Sequence, residues 1–356
     1  MRVLQIGSDR SKRGILFPKT PSFERQKAYA DRFGRLDIIG FSRKEDGAIP
    51  ADDGVLHTVP TNSSSKLGYL FDALRIAKSL PRPDVVSAQD PFEAGFVAWL
   101  IARRFKVPLH VQVHTDLLST EYAKDPIGHS RRLLARFVLN RATRVRVVSE
   151  RIKVSLQNCF HLRIPISVLP IFVDVRRFRD AKVNPDLGAR FSNFKKKLLV
   201  VSRLEPEKNV ELAIRAFAAG SPADTCLIIV GEGSERKRLE LFSRGMGVSG
   251  RTFFEGERDA APYYTIADLV LVPSKYEGYG LVIVEALAAG KPVLATDVGI
   301  VREAGAIVSS QANFAADLER WFDTGSREGV LKAYPYESFE GYVRAYCDDI
   351  AACIQK

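Results

Sequence analysis

The chain has 356 residues, 46% of them apolar, which is room for two domains of ordinary size. No stretch approaches the roughly 20 apolar residues that span a bilayer. The opening MRVLQIGS has no signal-peptide pattern, and Cys159, Cys226, Cys347 and Cys353 lack C-x-x-C spacing, so a cytoplasmic protein with reduced thiols is expected. The net charge of +11 is uneven: residues 1–180 hold 31 Lys and Arg against 18 Asp and Glu, residues 181–356 hold 22 against 24. An anionic partner is therefore sought on the first half; the alternative is a merely basic domain. No nucleic-acid motif is visible there.

In chain order, strand patterns appear in MRVLQIG, DIIGFS, DVVSAQ, PLHVQVH, RVRVVS and SVLPIFVD, with helical patterns such as YLFDALRIAKSL and EAGFVAWLIARRF between them. Such alternation predicts a parallel sheet covered by helices. The first strand ends at Gly7, and its turn carries Asp9, Arg10, Lys12 and Arg13 before Gly14. A later turn, AQDPFEAG, holds Asp90 and Glu93, suited either to an acceptor hydroxyl or to turn formation and helix capping. His110 and His114 share one strand face. They stand too far apart for one metal, so no metal site is expected; His114, at the strand's carboxyl end, suits either a ligand or the core.

The stretch HSRRLLARFVLNRATRVR (129–146) begins as an amphipathic helix with Arg131, Arg132 and Arg136. It packs on the sheet, and its arginines could also meet phospholipid head groups. Residues 175–197 are polar and irregular and read as a linker, giving domains 1–178 and 179–335. Aromatic residues Tyr336, Phe339, Tyr342 and Tyr346 predict core packing for a last helix over about 336–354.

A second alternation starts at Leu198. LLVVSRLEPEKNVELAIRAF is strand, charged turn and helix, with Arg203 and Lys208 flanking the turn as a pair suited to a diphosphate. CLIIVGEGSERKRLE supplies Gly231 in the next turn, and RTFFEGER supplies Gly256 and Arg258. The most informative stretch is PSKYEGYGLVIVEALAAGKP (273–292). A strand runs into a loop with Glu277, Gly278, Tyr279 and Gly280, then into an apolar helix from Leu281 that contains Glu285. Glycines permit close backbone approach and a helix start favours an anion. A carboxylate in an apolar helix needs a partner, from protein or ligand.

This pattern of two glutamates separated by seven residues, with the three blocks before it, resembles the retaining glycosyltransferases of family 4, over roughly residues 198–305. The resemblance implies the GT-B fold: α/β, two Rossmann-like parallel-sheet domains facing across a cleft, with the last helix (about 336–356) packing back on the first. It implies that Glu277 meets the donor-sugar hydroxyls and Glu285 the ribose. Arg203, Lys208 and the Gly278–Leu281 backbone would take the leaving diphosphate, residues 254–258 the base, and His114 the sugar. Gly7 would open a loop near donor and acceptor, although the charged turn after it departs from the family's glycine-rich one.

The implied partners are a nucleotide-diphosphate sugar, UDP- or GDP-linked, as co-substrate, and a glycan or lipid-linked acceptor. No other cofactor, no metal and no nucleic acid are expected, and an anionic membrane surface fits the basic half. Rival readings are a sugar-nucleotide hydrolase or epimerase on the same fold, and a non-catalytic nucleotide-sugar-binding scaffold.

Overall fold

The computed structural model of the chain describes residues 1–8, 14–119, 122, 126–325 and 327–355. It divides into two compact units, residues 1–170 with 336–356, and residues 171–335. The first unit thus ends at Pro170, short of residue 178. The stretch 175–197 is no linker. Val175–Arg179 is a helix whose cap, Asp174, accepts from the Arg177 amide, and Pro185–Arg190 is another, capped by Asn184. Phe178 meets Tyr264 edge-on at 5.6 Å, and Phe191 meets Phe253 at 5.1 Å. Helices of five and six residues are too short to show a 3.6-residue period, so two anchoring aromatics were hidden in polar composition.

The first unit holds eight strands: β1 (Arg2–Gly7), β2 (Arg35–Gly40), β3 (Ala51–Asp52), β4 (Leu56–Pro60), β5 (Val85–Ala88), β6 (Leu109–Val113), β7 (Arg144–Val147) and β8 (Ile166–Val168). Their order is β3-β4-β2-β1-β5-β6-β7-β8, parallel except where β3 runs against β4. Strands β3 and β4 are absent from the sequence reading because LHTVP alternates apolar with polar for only five residues. The central strands are buried, as parallel strands covered on both faces are.

One face of this sheet is polar. Pairing sets Gln5 beside Ser87, Ser87 beside His110, and His110 beside Arg144; one row on, Gln112 sits beside Arg146 and Arg146 beside Ser167. The C-terminal helix, Phe339–Ala351, covers that face. Tyr346 donates to Gln5 Oε1 at 3.2 Å and accepts from Gln112 Nε2 at 2.8 Å, while Arg146 donates to Gln112 Oε1 at 2.7 Å. Asp349 takes Arg144 Nε at 2.5 Å and faces His110 Nε2 at 3.1 Å. Burial works against the Asp349 carboxylate, but the bonds from His110, Ser167 and Arg144 outweigh it and hold its pKa at about 2. Tyr336, Tyr342 and Tyr346 are buried as expected, whereas Phe339 is 37% exposed.

The second unit is a six-stranded parallel sheet: β9 (Lys196–Val201), β10 (Thr225–Val230), β11 (Thr252–Gly256), β12 (Leu269–Val272), β13 (Val293–Thr296) and β14 (Ile307–Ser309). The order is β11-β10-β9-β12-β13-β14. Its core is apolar, with Leu198, Val200, Phe217, Leu227, Leu271, Phe314 and Trp321 packed together. The chain winds from β9 one way to β11, then returns to place β12 on the other side of β9. Ligands bind at such a reversal, outside the carboxyl ends of the strands.

Candidate active site

The loops after β9 and β12 meet at that reversal. Beyond β9, Pro206–Lys208 forms a 3-10 turn, and Asn209, at φ +51°, opens the helix Val210–Gly220. Asn209 Nδ2 donates to Pro273 O at 3.2 Å and the Lys275 amide to Glu207 O at 2.8 Å, which ties the two loops. This brings Lys208 Nζ to 2.6 Å from Glu277 Oε1, with both side chains mostly buried. Ser274 Oγ donates to the same oxygen at 2.8 Å. Glu277 is thus clamped through Oε1, and among the described residues Oε2 makes no hydrogen bond. A carboxylate oriented this way keeps one oxygen for ligand hydroxyls.

Arg203 does not join the pair. It bonds Glu207 Oε1 at 2.8 Å from a side chain that is 69% exposed. Gly278 and Tyr279 lead to Gly280, whose φ of +94° turns the chain into the helix Leu281–Ala288. Among the described residues no side chain caps that helix, so the N–H groups of Leu281 and Val282 at its start remain for an anion. The loop is pressed from behind: the Ile300 amide donates to Tyr279 O at 3.0 Å, and a Cβ on Gly299 would stand 2.2 Å from that oxygen. Thr296 Oγ1 donates to Ser274 O at 2.5 Å.

Glu285 finds a protein partner. Tyr264, fully buried, donates its hydroxyl to Oε2 at 2.8 Å. Burial raises the Glu285 pKa above the ordinary carboxyl value, opposed by the Tyr264 bond and the nearby Arg177. Gly231 and Gly256 are joined directly, amide to carbonyl at 2.7 Å, and a Cβ on Gly231 would overlap Ser202 O. Arg258 is exposed and folds onto its own turn, Nε to Glu255 O at 3.3 Å.

In the first unit, the histidines divide. His110 is fully buried and spent on Ser87 and Asp349. His114 follows β6 directly, and its Nε2 is buried without a partner among the described residues. Burial, with Arg146, Arg25 and His110 nearby, drives its pKa down to about 3, so the ring is neutral. Gly7 ends β1 where a Cβ would stand 2.8 Å from Gln89 Cγ. Asp9, Arg10, Lys12 and Arg13 lie outside the described residues. At the reversal between β1 and β5, a cavity of about 370 Å³ is lined by Ser8, Phe41, Lys66, Tyr69, Asp90 and Phe92. Asp90 Oδ1 accepts from the Phe92 amide at 2.8 Å, and burial pushes its carboxyl up to about 6. Glu93 pairs with Arg131 at 3.1 Å.

Sequence reasoning missed Asn209, Ser274, Thr296, Gly299 and Tyr264. Of these only Gly299 left a signal, a glycine after a strand in ATDVGIV; the others act through contacts formed by folding.

The topology has known counterparts. The structure matches the solved Anabaena Alr3699/HepE in complex with UDP and glucose with a TM-score of 0.72, at 19% identity, over 100% of this chain and 97% of that one. The fold is the GT-B fold of glycosyltransferases. A family model described as "Glycosyl transferases group 1" matches residues 189–307, and one described as "Glycosyl transferase 4-like domain" matches residues 26–170. The chain belongs to the group 1, family 4-like glycosyltransferases. Among curated relatives, a GDP-mannose-dependent alpha-mannosyltransferase of Mycobacterium tuberculosis is 29% identical over 73% of this chain and 69% of its own length. An alpha-monoglucosyldiacylglycerol synthase of Streptococcus pneumoniae is 26% identical over 63% of this chain. The chain spans only 54% of the length of that second relative.

Proposed function

We propose that the protein is a retaining hexosyltransferase that moves a sugar from a UDP- or GDP-sugar to a hydroxyl of a glycan, glycolipid or lipid-linked acceptor. The observation that carries this is the clamp on Glu277, which fixes one carboxylate oxygen on Lys208 and Ser274 and presents the other beside an uncapped helix start. The glycosidic bond between the anomeric carbon and the diphosphate breaks, and charge grows on the departing phosphate. Lys208 and the Gly278–Leu281 amides are the preorganised groups that stabilise it; Arg203, exposed and paired with Glu207, joins them by leaving that pair. The acceptor oxygen bonds the anomeric carbon on the same face, and its proton passes to the departing phosphate oxygen. Glu277 Oε2 orients the sugar ring, and Glu285, with Tyr264, holds the ribose. These cations supply the charge stabilisation, so the reaction proceeds without a divalent metal. His114, a neutral ring with one unpartnered nitrogen, contacts the sugar, and the base lies along residues 254–258, at Gly256 and Arg258.

The relative named for GDP-mannose and the solved neighbour holding UDP and glucose support a nucleotide-sugar donor; the relative named for a glucosyldiacylglycerol product supports a lipid acceptor. The test is a metal-free thermal-shift screen with UDP, GDP, ADP and their sugars, followed by turnover with and without acceptor. Stabilisation by one nucleotide and acceptor-dependent release of it are expected. Acceptor-independent turnover would make the protein a hydrolase or epimerase, nucleotide binding without any turnover would make it a scaffold, and no nucleotide binding would overturn the reading.

A further inference from the structure

The basic excess of the first half has a definite address, which overlaps the stretch 129–146 but uses only part of its arginines. Three arginines of 129–146 are engaged inside the unit. Arg131 pairs with Glu93, Arg144 with Asp349, and Arg146 is buried on β7. What remains is a face shared by two neighbouring helices, Glu93–Phe105 and Pro126–Leu139. Trp99 from the first meets Phe137 from the second edge-on at 4.9 Å. Arg141 lies over Phe137 at 3.7 Å and over Trp99 at 5.7 Å, and Arg103 lies over Trp99 at 5.9 Å. Leu133, one turn before Phe137, is 61% exposed, and Arg136 is exposed beside it.

Glu93 is the single acid in these two helices, and it is consumed by Arg131. Among the described residues, Arg103, Arg136 and Arg141 form no ion pair. We infer that this face, Trp99, Arg103, Leu133, Arg136, Phe137 and Arg141, is a docking surface for an anionic phospholipid bilayer. The reason is the pairing of chemistries. Unneutralised arginines attract any polyanion, but an exposed leucine one turn from the Phe137–Trp99 ring pair adds what only a bilayer rewards: an alkyl group to insert and an amphipathic ring for the headgroup level. The Arg103 and Arg141 guanidinium groups lie over these rings, which places the charges beside the aromatic groups at the headgroup level. A nucleic acid would use the charges and leave Leu133 without a role.

The test uses the full chain with vesicles of phosphatidylcholine alone or mixed with phosphatidylglycerol, some carrying brominated acyl chains. Trp321, the second of the two tryptophans, is 2% exposed in the other unit, so bromine quenching reports Trp99. Expected are sedimentation with phosphatidylglycerol vesicles only and quenching of Trp99. The variant R103Q/R136Q/R141Q should bind at least about tenfold more weakly, since each cation near the surface contributes on the order of 1 kcal/mol. Leu133→Ser should weaken binding several-fold while leaving its salt dependence intact. Thermal midpoints and nucleotide-induced stabilisation confirm that the variants fold, and they report the transferase reading separately. Undiminished binding of the triple variant overturns the inference. So does equal binding of short single-stranded RNA and vesicles with no effect of Leu133→Ser, which would make the face a general polyanion surface.

Discussion

The two sheets of this protein solve the same covering problem in opposite ways. The second unit packs an apolar core and concentrates its polar groups in loops at the carboxyl ends of β9 and β12. The first carries a polar belt across the middle of its sheet, from Gln5 to Ser167, sealed by Tyr346 and Asp349 of the C-terminal helix. Loops at a strand end can be read from short stretches of sequence. A belt whose partners are 182 to 341 residues apart cannot. The difference also separates roles, since the loop groups are the ones proposed to meet ligand while belt groups meet one another and fasten the chain's end.

Substitutions should fall on one side or the other of that division. The largest effect is expected at the loops: Glu277→Gln should cut turnover by about 10²–10³-fold, the range for losing one transition-state contact, while the thermal midpoint stays near wild type. Near-normal turnover would remove Glu277 from the chemistry. Asp349→Ala should do the reverse. It leaves Arg144 and His110 without their anion and should cost about 3–5 kcal/mol in denaturant unfolding, with activity per folded molecule retained. If stability is unchanged, the belt does not fasten the helix.

Gly299→Ala tests a position between the two behaviours. Its φ is +52° and the new Cβ would meet Tyr279 O, so a loss of about 1–3 kcal/mol is expected, together with reduced turnover from a displaced Glu277 loop. A fall in stability without a fall in turnover would show that the loop tolerates the shift. The smallest effect is pH-dependent. In the fold His114 stays neutral down to about 3, whereas its ordinary value is 6.5. Between those values the unfolded chain binds a proton that the folded chain refuses, so stability falls as pH drops through this window. His114→Asn should flatten that part of the curve of thermal midpoint against pH; an unaltered slope would show that the surroundings of His114 do not hold its ring neutral.

How much was legible follows the same line. The segment 273–292 revealed strand, loop and helix, and with them Glu277 and Glu285, because glycine punctuation and an apolar helix are local signals. It did not reveal that Glu277 is held by Lys208 rather than Arg203. Both cations flank one turn, and only the tie of Asn209 to Pro273 aims one of them inward. The basic run 129–146 was legible as an amphipathic helix, but not the fate of its arginines, since Glu93 and Asp349, which claim Arg131 and Arg144, lie 38 and 205 residues away.

By itself, then, the sequence determined the alternation of strands and helices, the two parallel sheets and the glutamate loop, all properties of periodicity and turn chemistry within a few residues. Tertiary structure decided which cations are buried, which carboxylate oxygen stays open and which helix face keeps its arginines. Those outcomes depend on charges and hydrogen-bond partners brought together across the chain, where burial strengthens each pairing and penalises each omission.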